Sequence, residues 1–496
     1  MRMYSSMPDW LSRQAQTQPH KQALIADDVS WTYHQLLHHS LSVKTMLVKA
    51  GVVPQDRVAV YCRKASSFVL AVHALMQSSA ILVPLNRKLP LSELAFQIQD
   101  AQPSAILVDA EQKEQAEQLM EAAGLQLPVL LIENRLNEEA HVARQSFLLT
   151  DKQAIIYTSG TTGLPKGAVL TYRSQWFSAV SSALHFGLQK NDIWLMPMPL
   201  FHVGGLASIL RAVIYGSTLW AQDRFVAADV LVAMENENVT LLSLVPTMLQ
   251  AVLQEAAGRP IVHHLRALLV GGSGAPPALL QKALEAGLPV CQSFGMSEAN
   301  STVTVTRDEQ SLLLPGCAGQ PLSCVQVAIF DEQGEQLPPN ASGEIRLAGP
   351  TMSEGYWNRP EATDQAFQDG FFCTGDLGWI DEEGRLFVLD RRSDLILVGG
   401  ENVYPAEIER VLRGCEKIVD VGVIGISDEK YGQVPAAFIV VNGPWTEAEF
   451  YEYAKPRLAT YQCPKVVRFV DELPRNASGK LLRRKLREQW QMSEVR

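Results

Sequence analysis

Short runs of apolar, β-type residues recur along the first part of the chain, each separated from the next by a helical stretch. Arg57-Val-Ala-Val-Tyr-Cys62, Ala80-Ile-Leu-Val-Pro84, Ser104-Ala-Ile-Leu-Val108 and Pro128-Val-Leu-Leu-Ile132 are examples. A strand with one wet face alternates apolar and polar residues. These runs do not alternate, so both faces must be covered, as in the parallel sheets of α/β proteins. The pattern resumes at Gln153–Tyr157, Asp192–Met196, Val239–Val245, Leu265–Val270 and Pro289–Gly295. Helical periodicity occupies residues 9–48, around short strand-like pieces at Gln22–Ala26 and Trp31–Tyr33, and returns at 171–186 and 204–215. The 496 residues leave room for about two to four domains.

From about Gly316 the composition changes. Val325–Phe330, Gly343–Leu347 and Leu386–Leu389 are short, β-rich and separated by turns such as Glu332-Gln-Gly334 and Glu382-Glu-Gly384, which marks a smaller β subdomain over about 316–389. Charges cluster at Asp390-Arg-Arg-Ser-Asp394, and strand and helix patterns follow at 404–413, 418–426, 434–442 and 466–470. The expected division is therefore 1–389, a connector at 390–393, and a small α+β domain over 394–496. The net charge of −10 argues against a nucleic-acid partner. No apolar run approaches membrane-spanning length and the N-terminus lacks a signal-peptide core, so a cytoplasmic protein is expected. The seven cysteines are scattered without a CxxC and the ten histidines lack ligand spacing, which speaks against a disulfide frame or a zinc site.

The strand Gln153–Tyr157 runs into Thr158-Ser-Gly-Thr-Thr-Gly-Leu-Pro-Lys-Gly167. Glycines turn backbone N–H groups toward one point, hydroxyls add donors and Lys166 adds a compact positive charge, a combination suited to an oligophosphate. It is not the loop of the common NTPases, which places Gly directly before the Lys and Ser or Thr directly after it. Pro165 precedes Lys166 here, so the loop is expected to stay open rather than run straight into a helix.

Four further stretches are more specific than composition. In Gln292-Ser-Phe-Gly-Met-Ser-Glu298 an aromatic can cover a purine, Ser297 can bond a phosphate and Glu298 can hold Mg²⁺. The residues alone leave open whether Ser297 is instead a helix N-cap. In Phe372-Cys-Thr-Gly-Asp376 the aspartate after a Thr-Gly turn either accepts ribose hydroxyls or merely closes the turn. Asp390–Asp394 followed by Gly399-Gly400 suits a swivel or a solvated linker. Pro474-Arg-Asn-Ala-Ser-Gly-Lys480 leads into a basic amphipathic helix, either an anion-reaching lysine or a wet face.

Together, and in this order, these stretches resemble the adenylate-forming superfamily of acyl- and aryl-CoA ligases, luciferases and peptide-synthetase adenylation domains. The resemblance spans nearly the whole chain. It implies a large domain of stacked αβα sheets with a small β-barrel subdomain, and a mobile C-terminal domain. It implies that Thr158, Ser159, Gly160, Thr161, Thr162, Gly163 and Lys166 hold phosphates, and that Gln292, Ser293, Phe294, Gly295, Met296 and Ser297 bind AMP, with Ser297 where Thr is more usual. It further implies Glu298 as the Mg²⁺ ligand, Asp376 and Arg391 on the ribose, Lys480 as the adenylation lysine, Ser393 and Asp394 at a hinge, and Gly399 and Gly400 along a coenzyme A tunnel. Leu397 departs from the basic residue common in aryl ligases. ATP, Mg²⁺ and coenzyme A are the implied cofactors and substrates, with no membrane insertion, and homo-oligomerisation is left open.

In the superfamily the histidine of a stretch like Pro199-Leu-Phe-His-Val-Gly-Gly205 borders the acyl pocket, which makes His202 the expected partner of the carboxylate. Thr247, Gly272, Ser273 and Gly295 are expected in the other pocket walls. Small and hydroxyl residues beside apolar ones suit a short, polar or aromatic acid better than a long fatty chain. The stretches from Trp176, Met198 and Leu210 resemble the o-succinylbenzoate:CoA ligase branch, which serves menaquinone synthesis. Other aryl- or medium-chain acyl-CoA ligases, and a non-catalytic nucleotide-binding regulator, are the alternatives.

Overall fold

The computed structural model describes residues 6–132, 142–158, 165–391, 394–398, 401–428, 431–475 and 481–494. Two sheets enclose one layer of helices. The first has the order Lys166–Thr171, Lys152–Thr158, Ile81–Pro84, Arg57–Tyr61, Ala105–Val108, Val129–Leu131. All its strands run parallel except Lys166–Thr171, which returns antiparallel along Lys152–Thr158. In the second sheet Val290–Met296, Ala267–Val270, Leu241–Leu244, Ile193–Met196, Thr218–Ala221 and Gln22–Ile25 are parallel, and Ser30–Thr32 closes that edge antiparallel.

The continuous apolar runs now have their reason. Val58, Val60, Leu82, Leu107, Ala154 and Ile156 point into the core shared with the inner helices. Their alternates Ala59, Val83, Ile106, Val108 and Ile155 belong to a second core on the outer face. The period of two persists, but both phases are buried. Helix Ala65–Ser78 lies between the sheets and is buried from Ala65 through Gln77, which is why it is apolar on nearly every side.

The β-rich subdomain is continuous with the second sheet. Val290–Met296 pairs antiparallel with Ser301–Val305, and the ladder passes on through Cys317–Pro321, Leu386–Arg391, Phe371–Ile380 and Gly343–Ala348 to Gln326–Phe330. Among the described residues this ladder ends at Gln326–Phe330. One correction concerns Phe372–Asp376. It is not a turn but the middle of the strand Phe371–Ile380, kinked at Gly375, whose φ of 68° interrupts the pleat without ending the strand.

The C-terminal residues build a separate sheet ordered Glu401–Val403, Ile396–Val398, Gly432–Val441, Ile418–Asp428, with Val466–Phe469 parallel to Gly432–Val441. Helices Pro405–Leu412, Glu447–Ala454 and Arg483–Glu494 cover it, the second started by a Thr446–Glu449 capping box. Its core, with Ile408, Leu412, Val423, Phe450 and Leu486, is not shared with the large domain. Phe450→Ala should therefore cost about 3–5 kcal/mol and lower only one of two calorimetric transitions. A single transition shifted as a whole would show that the two parts melt as one.

Candidate active site

Thr158 and Lys166 face each other across the two hairpin strands that end the first sheet, at the sheet's carboxyl end. A strand, Lys166–Thr171, follows Pro165 directly. Gly167 has no room for a side chain, because a Cβ there would meet Ile155 Cγ2 at 2.5 Å. The segment Glu354–Trp357 lies along the outside of this hairpin. Glu354 N–H donates to Val169 O at 3.0 Å, Val169 N–H to Gly355 O at 3.0 Å, and Trp357 N–H to Gly167 O at 2.8 Å.

The second sheet delivers Glu298. Its strand Val290–Met296 ends in a 3-10 turn, Ser297–Ala299. Glu298 Oε1 accepts the Tyr356 hydroxyl at 3.0 Å and the Thr158 hydroxyl at 3.4 Å. Lys166 Nζ stands 5.2 Å from the centre of the Tyr356 ring. The Glu298 carboxylate, distant in sequence, thus meets Thr158 and Tyr356 beside Lys166 where the carboxyl ends of both sheets converge, the usual place for a ligand in α/β folds.

The stretch Gln292–Ser297 divides its tasks. Gln292 is buried, with Nε2 donating to Cys317 O at 2.7 Å and Oε1 accepting from Ala275 N at 2.8 Å. Both polar ends of its side chain are thus engaged within the fold. Ser293 Oγ donates to Val270 O at 3.4 Å and sits where a Cβ on Gly271 would have to go. Gly295 is demanded by backbone: a Cβ there would overlap the Ser301 carbonyl. Phe294 and Met296 are half-buried beside the subdomain core. Ser297 is not an N-cap, since Met296 occupies that position and makes no side-chain capping bond.

Asp376 lies directly across from Arg391 in the ladder and is buried, with its N–H donating to Thr374 Oγ1 at 3.0 Å. The two residues expected on a ribose are thus cross-strand neighbours. His202 is the N-cap of helix Val203–Tyr215 and leaves its side chain out of the capping. Its Nε2 is buried without a partner among the described residues. Burial, assisted by Lys88, pulls its pKa down to about 4, so the ring is neutral at pH 7. Thr247 and Ser273 are exposed, and Gly272 lies beside Val245, the residue before helix Pro246–Glu255. Asp394 is bound by Arg487 at 2.6 Å and Arg483 at 3.3 Å. Ser159, Gly160, Thr161, Thr162, Gly163, Ser393, Gly399, Gly400 and Lys480, and the side chain of Arg391, lie outside the described residues.

Two functional candidates were not legible in the sequence. Tyr356 is one. The other is Arg211, which is 3% exposed on the same helix that His202 begins. Its guanidinium donates to Ser178 Oγ at 3.2 Å and stacks 5.7 Å over Trp194, while Nε has no partner. Burial pulls its pKa below the ordinary arginine value, and no carboxylate among the described residues offsets it. A buried charge left in this condition calls for an anion from elsewhere.

Family models identify residues 11–357 as an AMP-binding enzyme and residues 407–480 as an AMP-binding enzyme C-terminal domain. The chain belongs to the AMP-binding enzyme family. It is 40% identical to the 2-succinylbenzoate–CoA ligase of Bacillus cereus over 98% of its own length and 99% of that protein's. The Bacillus mycoides ligase of the same name is 41% identical over 97% and 98%. Among solved structures, the o-succinylbenzoate CoA synthetase of Bacillus subtilis in complex with its acyl-adenylate intermediate superimposes with a TM-score of 0.91 at 38% identity, covering 97% and 98% of the two chains. The same synthetase with ATP and magnesium ion gives 0.90, at 38% identity and coverage of 97% and 100%.

The residues present suit magnesium. No cluster of three or more His, Cys, Asp or Glu side chains exists among the described residues, so no all-protein cage is available. One carboxylate flanked by hydroxyls is instead what Mg²⁺ uses when substrate phosphates and water supply the remaining ligands. Glu298→Gln should raise the Mg²⁺ concentration needed for half-maximal adenylation, measured by pyrophosphate exchange. An unchanged Mg²⁺ titration would remove Glu298 as the ligand.

Proposed function

We propose that the chain is an ATP-dependent carboxylate–CoA ligase that converts 2-succinylbenzoate, ATP and coenzyme A to 2-succinylbenzoyl-CoA, AMP and diphosphate, a step of menaquinone biosynthesis. The observation that carries the ATP chemistry is the convergence of Thr158, Lys166 and Glu298. Near-complete coverage of same-named relatives supports the acid.

A carboxylate is a poor electrophile and has to be activated. Its oxygen attacks the α-phosphorus of ATP, the bond to the β-phosphate oxygen breaks, and diphosphate leaves. Such transfers are accelerated chiefly by positioning and by charge placed in advance. Lys166 and residues 158–163 would hold the β- and γ-phosphates, Asp376 and Arg391 the ribose, and the neutral His202 ring the reacting carboxylate. Bound Mg²⁺ would supply charge neutralisation on the phosphates beside Glu298. The C-terminal domain would then turn about Ser393 and Asp394, withdrawing Lys480 and bringing Gly399-Gly400 to the coenzyme A tunnel. The thiolate of coenzyme A attacks the acyl carbon and AMP leaves. No helix among the described residues is long and apolar enough to cross a membrane, and a cytoplasmic site of action fits water-soluble substrates.

Arg211 favours a dicarboxylate. It lies nine residues beyond His202, about 13 Å of helix axis, and helical side chains lean back toward the N-terminus. A substrate whose aliphatic carboxylate meets His202 could thus offer its aromatic carboxylate to the buried guanidinium, a stronger partner than Ser273 or Thr247. A monocarboxylic aryl or medium-chain acid would leave that charge unmatched. The regulator reading requires loss of Lys166, Glu298 or Lys480, and all three are present in the sequence.

Incubation with 2-succinylbenzoate, ATP, Mg²⁺ and coenzyme A should release AMP and diphosphate and form a thioester. Turnover with another acid alone would overturn the substrate and leave the ligase. Arg211→Gln should raise KM for 2-succinylbenzoate roughly 30-fold or more while affecting a monocarboxylic analogue far less. Lys480→Ala should slow adenylation by roughly 10²–10³ and spare thioester formation from supplied acyl-adenylate. Equal loss in both half-reactions would contradict the domain rotation.

A further inference from the structure

One side chain touches both charges of the site. Tyr356 donates its hydroxyl to Glu298 Oε1 at 3.0 Å and presents its ring face to Lys166 Nζ at 5.2 Å. An aromatic face attracts an ammonium, and a hydroxyl bonded to a carboxylate fixes that group's rotation. Thr158 adds a second hydroxyl at 3.4 Å, on the same oxygen. Both donors therefore act on Oε1, and among the described residues nothing bonds Oε2.

Tyr356 is itself firmly placed. Its N–H donates to Thr363 Oγ1 at 2.9 Å, and its backbone forms an isolated bridge with Ala168, two residues beyond Lys166. Gly355 has a φ of 111°, and a Cβ there would run into the Thr363 side chain, so only glycine lets the chain turn the tyrosine inward. Ser353 N–H donates to the Glu298 carbonyl at 2.7 Å and ties the same segment to the backbone of the acid.

We propose that Tyr356 is a positioning residue of the adenylation site. Its hydroxyl sets Glu298 so that Oε2 is presented to the metal ion that arrives with ATP, and its ring holds the Lys166 ammonium where the phosphates enter. The inference rests on the ATP-dependent reading above and deepens it. A tyrosine that merely filled space would change stability and would affect ATP binding equally with and without metal.

The test is ATP binding by titration calorimetry at stepped Mg²⁺ concentrations, without acid or coenzyme A, together with Tm. Tyr356→Phe keeps the ring and removes the hydroxyl. It should raise the Mg²⁺ half-saturation of ATP binding roughly tenfold and leave metal-free ATP binding as in the wild type, with Tm lowered only by the loss of one hydrogen bond. Tyr356→Leu removes both groups and should also weaken metal-free ATP binding, roughly two- to five-fold. A wild-type Mg²⁺ titration in Tyr356→Phe, or equal weakening with and without metal, would overturn the proposal. If Tyr356→Leu does not fold, Tyr356→Phe decides alone. Absence of Mg²⁺-dependent ATP binding in the wild-type protein would overturn the ATP reading itself, and this inference with it.

Discussion

Glu298 is joined to the first sheet by hydrogen bonds from two hydroxyls, and the rest of the site is arranged around that contact. Thr158 ends the strand next to the edge of the first sheet, Tyr356 lies on a segment laced to the edge strand, and Glu298 follows the last parallel strand of the second sheet. Two sheets that share one helical layer have little freedom to slide, because the side chains between them are packed from both sides. The carboxylate therefore reports the relative placement of two large bodies. A shift that moved it by an ångström would have to disturb helices such as Ala65–Ser78, whose residues are buried nearly all the way round.

The strands of both sheets were legible because both phases of their period-two pattern are apolar, a signal that local sequence carries by itself. Asp376 was found by its neighbours but misplaced in a turn: Gly375, which reads as a breaker, only kinks a ten-residue strand. The strand Lys166–Thr171 went unread because it leaves the loop and meets helix Tyr172–Phe186 with no break between them. Tyr356 and Arg211 were not legible for a different reason. A tyrosine before a tryptophan and an arginine in an apolar helix are ordinary in sequence, and their meaning comes from what lies opposite them. Gln292, in an informative stretch, has both polar ends of its side chain engaged within the fold.

The small domain is braced within itself. Arg483 links Asp394, at the proposed hinge, to Glu409 in helix Pro405–Leu412, and Arg487 holds Asp394 as well. Arg475 is paired with Asp420, and its backbone bridges Leu481. The stem on either side of residues 476–480 is thus rooted in the sheet whose core includes Val421, Val423 and Leu486. Glu409 is buried and shared between Arg413 and Arg483, so removing it would take a carboxylate partner from two guanidinium groups rather than one. Such internal bracing would let the proposed turn be taken up at the connector.

The strand Gln22–Ile25 carries a consequence for how the chain is made. On one side it pairs with Ser30–Thr32, which follows it almost at once; on the other it pairs with Thr218–Ala221. During synthesis at a ribosome the near partner is available immediately, while the far one has yet to be translated. The first sheet, whose strands lie between Arg57 and Thr171, can assemble in that interval, yet the helices destined for the shared layer still lack their second cover. The nascent chain therefore holds an apolar face open until the later strands emerge, a stage at which folding factors have something to bind and aggregation has its opportunity.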